Sequence, residues 1–167
     1  GAGRTDLAEA IFGAGEKLGG EISLDGAKLE IKSPSDAIAA GLYLVPEDRK
    51  RAGLILEFPT LENVTMASLP AYTTHGIVSQ RRQMAVAEAQ RKALGIKTHD
   101  VRSAAREMSG GNQQKVVLAK WLSMNPKVII FDEPTRGIDV GAKAEIYGLM
   151  RSLADRGVGV MMISSDM

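Results

Sequence analysis

Two carboxylates stand side by side at the end of an apolar run, in Val128-Ile129-Ile130-Phe131-Asp132-Glu133. Four apolar residues in a row suit a strand of a parallel sheet covered on both faces. Open α/β sheets bind their ligands at the carboxyl ends of such strands. There Asp132 would hold Mg²⁺, because a hard cation takes oxygen ligands. Glu133 would polarise a water for attack on a phosphate. Taken alone, the pair reads equally well as an acidic turn after a strand.

A second segment is Met108-Ser109-Gly110-Gly111-Asn112-Gln113-Gln114-Lys115. Its glycines let backbone N–H groups come close to an anion, and a helix starting there offers the positive end of its dipole. The competing reading is a plain serine N-cap followed by flexible glycines. A third, Arg136-Gly137-Ile138-Asp139, follows the Asp-Glu strand directly.

These three segments stand in the order of the ABC signature, the Walker B strand and the D-loop, with methionine at 108 where leucine is usual. Longer stretches narrow the resemblance: Val45-Pro46-Glu47-Asp48-Arg49-Lys50-Arg51 and the run from Asp132-Glu133-Pro134-Thr135 to Val140-Gly141-Ala142-Lys143. Across essentially its whole length the chain resembles the C-terminal ATPase domain of the tandem subunits that serve ribose, galactose, xylose and similar importers. The resemblance implies ATP and Mg²⁺ as cofactors. It places Gly1, Ala2, Gly3, Arg4, Thr5 and Asp6 at the nucleotide phosphates, and Thr5, Glu47 and Asp132 at the metal. Glu133 and Ser165 take the catalytic positions. Ser109, Gly110, Gly111, Asn112, Gln113 and Asp139 face the nucleotide of a partner domain. Implied partners are the first ATPase domain of the same subunit, a transmembrane permease and, indirectly, a sugar-binding protein outside the cell; no nucleic acid is implied. The implied location is the cytoplasmic face of the bacterial membrane, held peripherally.

Three departures from the ABC pattern stand out. Gly3-Arg4-Thr5 matches the end of the phosphate loop with arginine in place of lysine, a wider planar fork in a tight loop. Glu47 stands where the Q-loop glutamine is usual and adds negative charge. Ser165 stands where the switch histidine is expected, and serine is too short and too weak a base to copy it. These substitutions lead to the expectation that the domain's own site is weak, while its signature completes the partner site.

The positioning elements read as α/β. Helices are expected at 6–12, 35–40, 79–94, 109–123 and 142–155, with a further one near 60–68. Buried strands are expected at 42–45, 128–131 and 158–163, and a hairpin at 21–31 around Asp25-Gly26. This is a mostly parallel sheet with helices, a small antiparallel β piece and a helical subdomain at about 60–107, on a core of 1–59 and 108–167. Val117, Leu118, Trp121 and Leu122 suggest an amphipathic helix. Arg49-Lys50-Arg51 and Arg81-Arg82 read as solvated faces, and His75 and His99 as isolated surface residues. Both ends read as cut from a longer domain, with a strand expected before residue 1 beside the one that ends at Asp132. An isolated fragment would then have little or no ATPase activity.

Composition sets the outer bounds. The 167 residues are 44% apolar and 25% charged, with a net charge of +1 and no cysteine. That suits a folded domain with a sizeable core and argues against disorder, disulfides and a strong field for nucleic acid. Two rival readings are a regulatory domain that binds nucleotide without hydrolysing it and a soluble ABC protein of DNA repair or translation. The stretch between Glu47 and Ser109 lacks sustained heptads, which disfavours the coiled coils of DNA-repair types.

Overall fold

The computed structural model describes residues 3–165; Gly1 and Ala2, two expected phosphate-loop positions, lie outside the described residues. By its internal contacts the chain divides into two compact units. The first takes in Gly1–Glu47, Pro126–Pro134 and Arg151–Met167, the second Asp48–Asn125 and Thr135–Met150.

The first unit is built on a parallel sheet. Strands β3 (Leu42–Val45), β6 (Val128–Asp132) and β7 (Gly159–Ile163) lie in the order β3-β6-β7. β3 is buried along its whole length and β6 nearly so, as an unbroken apolar run requires. β7 departs from the expected buried strand: Met162 is 49% exposed, and only Ile163 is fully covered. The reason is its place in the sheet. β7 pairs on one side with β6, and among the described residues its other edge carries no strand. The expected upstream strand beside β6 is corrected on the same ground, because both ladders of β6 are already taken by β3 and β7.

Around this sheet, helix α1 (Arg4–Phe12) starts from Gly3 and stops at Gly13, both at positive φ. The hairpin β1 (Ile22–Leu24) and β2 (Ala27–Leu29) turns through Asp25 and Gly26 at φ 53° and 78°, the conformation that an Asp-Gly pair favours. Helix α2 (Pro34–Ala40) begins earlier than expected. Its N-cap is Ser33, whose Oγ accepts from Asp36 N, and Pro34 sits at the first turn, where its missing N–H costs nothing.

The second unit is mainly helical. It holds a π-helical turn at Arg49–Gly53, α3 (Thr60–Thr65), a 3₁₀ stretch at Met66–Tyr72, α4 (Gln80–Ala93) and α5 (Gly110–Leu122). A short exposed hairpin, β4 (Thr73–Thr74) with β5 (Ile77–Val78), turns at His75-Gly76; His75 and His99 are exposed, as expected. This unit is wider than residues 60–107, because α5 packs against α3 and α4. α5 also corrects the amphipathic expectation. Besides Val117, Leu118 and Trp121 it buries Gln113, Gln114, Lys115 and Lys120, so nearly its whole circumference is covered. Helix α6 (Val140–Asp155) is divided between the units at Met150. No helix among the described residues is long and apolar enough to cross a membrane.

Candidate functional site

The first unit gathers one set of candidate residues at the carboxyl end of its sheet. Asp132 closes β6, and Glu133 follows it at φ 44°. A non-glycine residue at positive φ is strained by about 1 kcal/mol or more and persists where surrounding structure imposes it. Here the Glu133 N–H donates to Ile163 O at 2.9 Å, which ties the turn to the end of β7. Thr5, in the first turn of α1, places its Oγ1 3.5 Å from Glu47 Oε2, and the same hydroxyl is near enough to Asp132 to favour its ionised carboxylate. One hydroxyl proton cannot serve two carboxylates fully. Asp132 Oδ1 is buried and has no partner among the described residues. Burial pushes the Asp132 carboxyl above its usual range and Glu133 adds to this, while Thr5 and Arg4 pull the other way.

Arg4 is exposed, and its Nη1 donates to the Ser164 carbonyl at 2.7 Å. The fork at the phosphate-loop cation position is thus engaged at the end of β7. Ser165, next in the chain, is exposed. Asp6 lies in the first turn of α1, where a carboxylate suits the helix dipole.

This set has the chemistry of an incomplete divalent-cation site. Carboxylates 47 and 132 and a hydroxyl converge, and one buried oxygen lacks a partner. Among the described residues no three His, Cys, Asp or Glu side chains form a closed metal cage. Mg²⁺ characteristically takes one or two carboxylates and completes its shell with water and substrate phosphates. The residues present fit that ion.

The second unit holds the other set. Ser109 precedes α5 but makes no side-chain cap, which removes the plain N-cap reading. Asn112 Nδ2 donates to Ser109 Oγ at 2.9 Å, and Asn112 Oδ1 accepts from Lys97 N at 2.8 Å. The backbone N–H of Lys97 is an unambiguous donor, so it sets the orientation of the Asn112 amide. Ser109 Oγ therefore accepts, and its own proton is left to point elsewhere. Gln113 is buried, and its Nε2 donates to Ala105 O at 3.2 Å. Asp139 Oδ1 accepts from Ala142 N at 2.9 Å, capping α6. At Gly111 an added Cβ would lie 2.6 Å from Ala142 Cβ. Glycine there allows the first turns of α5 and α6 to touch.

One residue departs from its expected exposure. Arg49 belongs to a basic run and reads as solvated, yet it is only 9% exposed, while Lys50 and Arg51 are exposed. A run of like charges carries no periodic signal that would single out its buried member.

A family model described as ABC transporter matches residues 1–136. The chain is 50% identical over 167 residues to the ribose import ATP-binding protein RbsA of Oceanobacillus iheyensis, covering 100% of this chain and 34% of that protein. It is 52% identical over 169 residues to the xylose import ATP-binding protein XylG of Thermoanaerobacter pseudethanolicus, covering 100% and 33%. The chain thus spans about a third of the length of these relatives. Among solved structures, the ATP-binding cassette MJ1267 matches with a TM-score of 0.81 at 21% identity, over 99% of this chain and 67% of that one. The dimeric post-hydrolysis state of the cassette MJ0796 bound to ADP and Pi matches at 0.75 and 23%, over 98% and 70%. At those identities the structural likeness speaks for the fold alone. The matched model covers most of the chain, and with the parallel sheet and the cassette fold it assigns the protein: the chain belongs to the ABC transporter family, as an ATPase domain of α/β P-loop type.

Proposed function

We propose that this chain is part of the C-terminal ATPase domain of a sugar importer's ATP-binding subunit, whose two residue sets serve two different ATP sites. Ser109, Gly110, Gly111 and Asp139 complete the site whose phosphate loop lies in the first ATPase domain. Gly1 to Asp6, Glu47, Asp132, Glu133 and Ser165 form the domain's own site. The partners are that first domain, a permease at the cytoplasmic face of the membrane and, through it, a sugar-binding protein. The observation that carries the reading is the Thr5, Glu47 and Asp132 cradle with its unpartnered buried oxygen.

When bound, Mg²⁺ supplies charge neutralisation for the triphosphate. Thr5 Oγ1, Glu47 and Asp132 would hold the ion. Glu133, aimed by its strained backbone, accepts a proton from the attacking water. Ser109 gives its free hydroxyl proton to a phosphate oxygen of the partner's nucleotide, beside the uncapped N–H groups of α5. Arg4 is held by Ser164 O, and Ser165 offers no imidazole, so the own site is poorly equipped for turnover. The same contact supports a second reading, in which the own site binds nucleotide in a regulatory role without hydrolysing it.

Steady-state ATPase assays on the full-length two-domain protein, in membranes with its permease, test the assignment. Ser109→Arg places bulk and charge at the mouth of α5 and abolishes most turnover and transport. Glu133→Gln, which removes a base worth about 10²–10⁴-fold where it is in use, leaves much of the turnover. Equal damage from both substitutions refutes this division of labour. Full activity in Ser109→Arg refutes the signature assignment itself.

A further inference from the structure

Arg49 is a buried charge with an unusual set of partners. Its Nη1 donates to Arg136 O at 3.0 Å and its Nη2 to Gly137 O at 3.4 Å. Its Nε is buried and has no partner among the described residues. Burial draws its pKa down, and nearby Asp48 opposes this. Burying a guanidinium against backbone carbonyls is costly, so it marks a place where geometry matters.

The surroundings hold Arg49 from both ends. Asp48 Oδ1 accepts from Lys50 N and Arg51 N at 3.0 and 3.1 Å and caps the π-helical turn that Arg49 begins. Leu54 N closes the turn on Arg49 O at 2.8 Å. Lys120 Nζ, on α5, donates to Gly53 O at 2.8 Å. π-turns are uncommon and recur at functional sites. With its backbone fixed, the guanidinium lies against Gly110. A Cβ at 110 would stand 2.6 Å from Arg49 Nη2 and 3.1 Å from Gly137 O. A side chain at 110 would therefore have to push the fork aside and press on the Gly137 carbonyl.

We infer that Arg49 is a positioning residue, whose buried fork clamps the Arg136-Gly137 turn against Gly110 so that Ser109–Gly111 and Asp139 form one rigid surface for the partner domain's nucleotide. This rests on the proposed function, in which both segments serve the partner site. The clamp acts at one end of the 136–139 turn, and the contact between Gly111 and Ala142 acts at the other. Arg49 touches no reacting atom. It keeps donors in the placement that closure over a nucleotide needs, and small misplacements of such donors cost rate steeply.

The test uses the full-length protein in membranes with its permease, comparing Arg49→Ala, Arg49→Lys, Gly110→Ala and the Arg49→Ala/Gly110→Ala double variant, with Ser109→Arg as control. For Arg49→Ala, kcat falls roughly 10- to 100-fold, the loss expected for the one well-formed charge-assisted hydrogen bond, to Arg136 O at 3.0 Å, while KM for ATP moves less than about threefold. A merely structural residue lowers the amount of folded protein and leaves kcat per folded molecule unchanged; thermal melting supplies that correction. Arg49→Lys keeps the charge but not the fork, and should lose kcat by about half of the alanine effect on a logarithmic scale. The double variant should lose far less than the product of its singles, because each breaks the same contact. If Arg49→Ala does not fold, Arg49→Lys decides: wild-type kcat there overturns the clamp. Wild-type kcat in folded Arg49→Ala, a loss confined to KM, or fully multiplicative losses overturn it as well. If Ser109→Arg retains full turnover, the failure belongs to the functional assignment and not to the clamp.

Discussion

Replacing Asn112 with aspartate should separate stability from function at the mouth of α5. In the native chain Lys97 N donates to Asn112 Oδ1 at 2.8 Å, which turns Nδ2 toward Ser109 Oγ at 2.9 Å. Aspartate keeps the first bond and puts an acceptor where the donor was. The Ser109 proton then turns inward to the carboxylate and is withdrawn from any phosphate. One hydrogen bond to a charged group is lost, about 1.5–3 kcal/mol. A negative charge also appears beside the phosphate position, adding about 1 kcal/mol of repulsion at the dielectric of bulk water. Together these amount to about 3 kcal/mol, or roughly 100-fold in nucleotide-driven closure. Stability moves the other way. A carboxylate in the first turn of a helix is favourable by about 0.3–1 kcal/mol. Steady-state ATPase and thermal melting of the full-length Asn112→Asp variant should show activity down about 100-fold and melting temperature unchanged or higher. Activity within threefold of wild type would refute the reasoning, and so would an activity loss matched by a fall in melting temperature.

Lys120 carries a pH signature. Burial pushes its pKa from 10.5 down to about 8, with its Nζ on Gly53 O at 2.8 Å and 4.5 Å from the centroid of the Trp121 ring. The unfolded chain therefore binds more protons between about pH 8 and 10.5, and stability attributable to this group rises with pH across that window, by about 3 kcal/mol. Lys120→Met removes the effect, so the melting temperature of the variant relative to wild type is highest near neutral pH and declines by several degrees toward pH 10; parallel curves refute it. Two glycines at positive φ should differ sharply. Gly13→Ala drives a Cβ to 2.6 Å from the Ser33 backbone, whereas Gly26→Ala meets nothing within 4 Å. The first should cost about 3 kcal/mol or more and the second about 1 kcal/mol, read as shifts in denaturation midpoint; equal shifts refute the steric account.

Where local chemistry decides structure, the sequence was a sufficient guide. The apolar run before Asp132 is short, unbroken and rich in β-branched residues, which suits a covered parallel strand, and it forms β6. Asp25-Gly26 accepts positive φ at both positions and forms the hairpin turn. Gly41 stops α2 as a left-handed cap. The spacing of the Ser-Gly-Gly, Asp-Glu and Arg-Gly-Ile-Asp segments was likewise enough to indicate the family, since residue type and order survive in one dimension. Facts about neighbours were decided by tertiary structure alone. The position of β7 beside β6 leaves Met162 half-exposed in a strand whose composition reads as core. The burial of nearly the whole circumference of α5 depends on neighbours that include α3 and α4, which no helical period records. Asn112 and Ser109 reveal which of them donates only because Lys97 N is brought to the amide from outside the helix. Arg49, in a run of three basic residues, becomes buried because Gly110 and the 136–137 carbonyls come to it from distant points in the chain. A charge's partners are set by distance in space, and sequence separation carries almost none of that information.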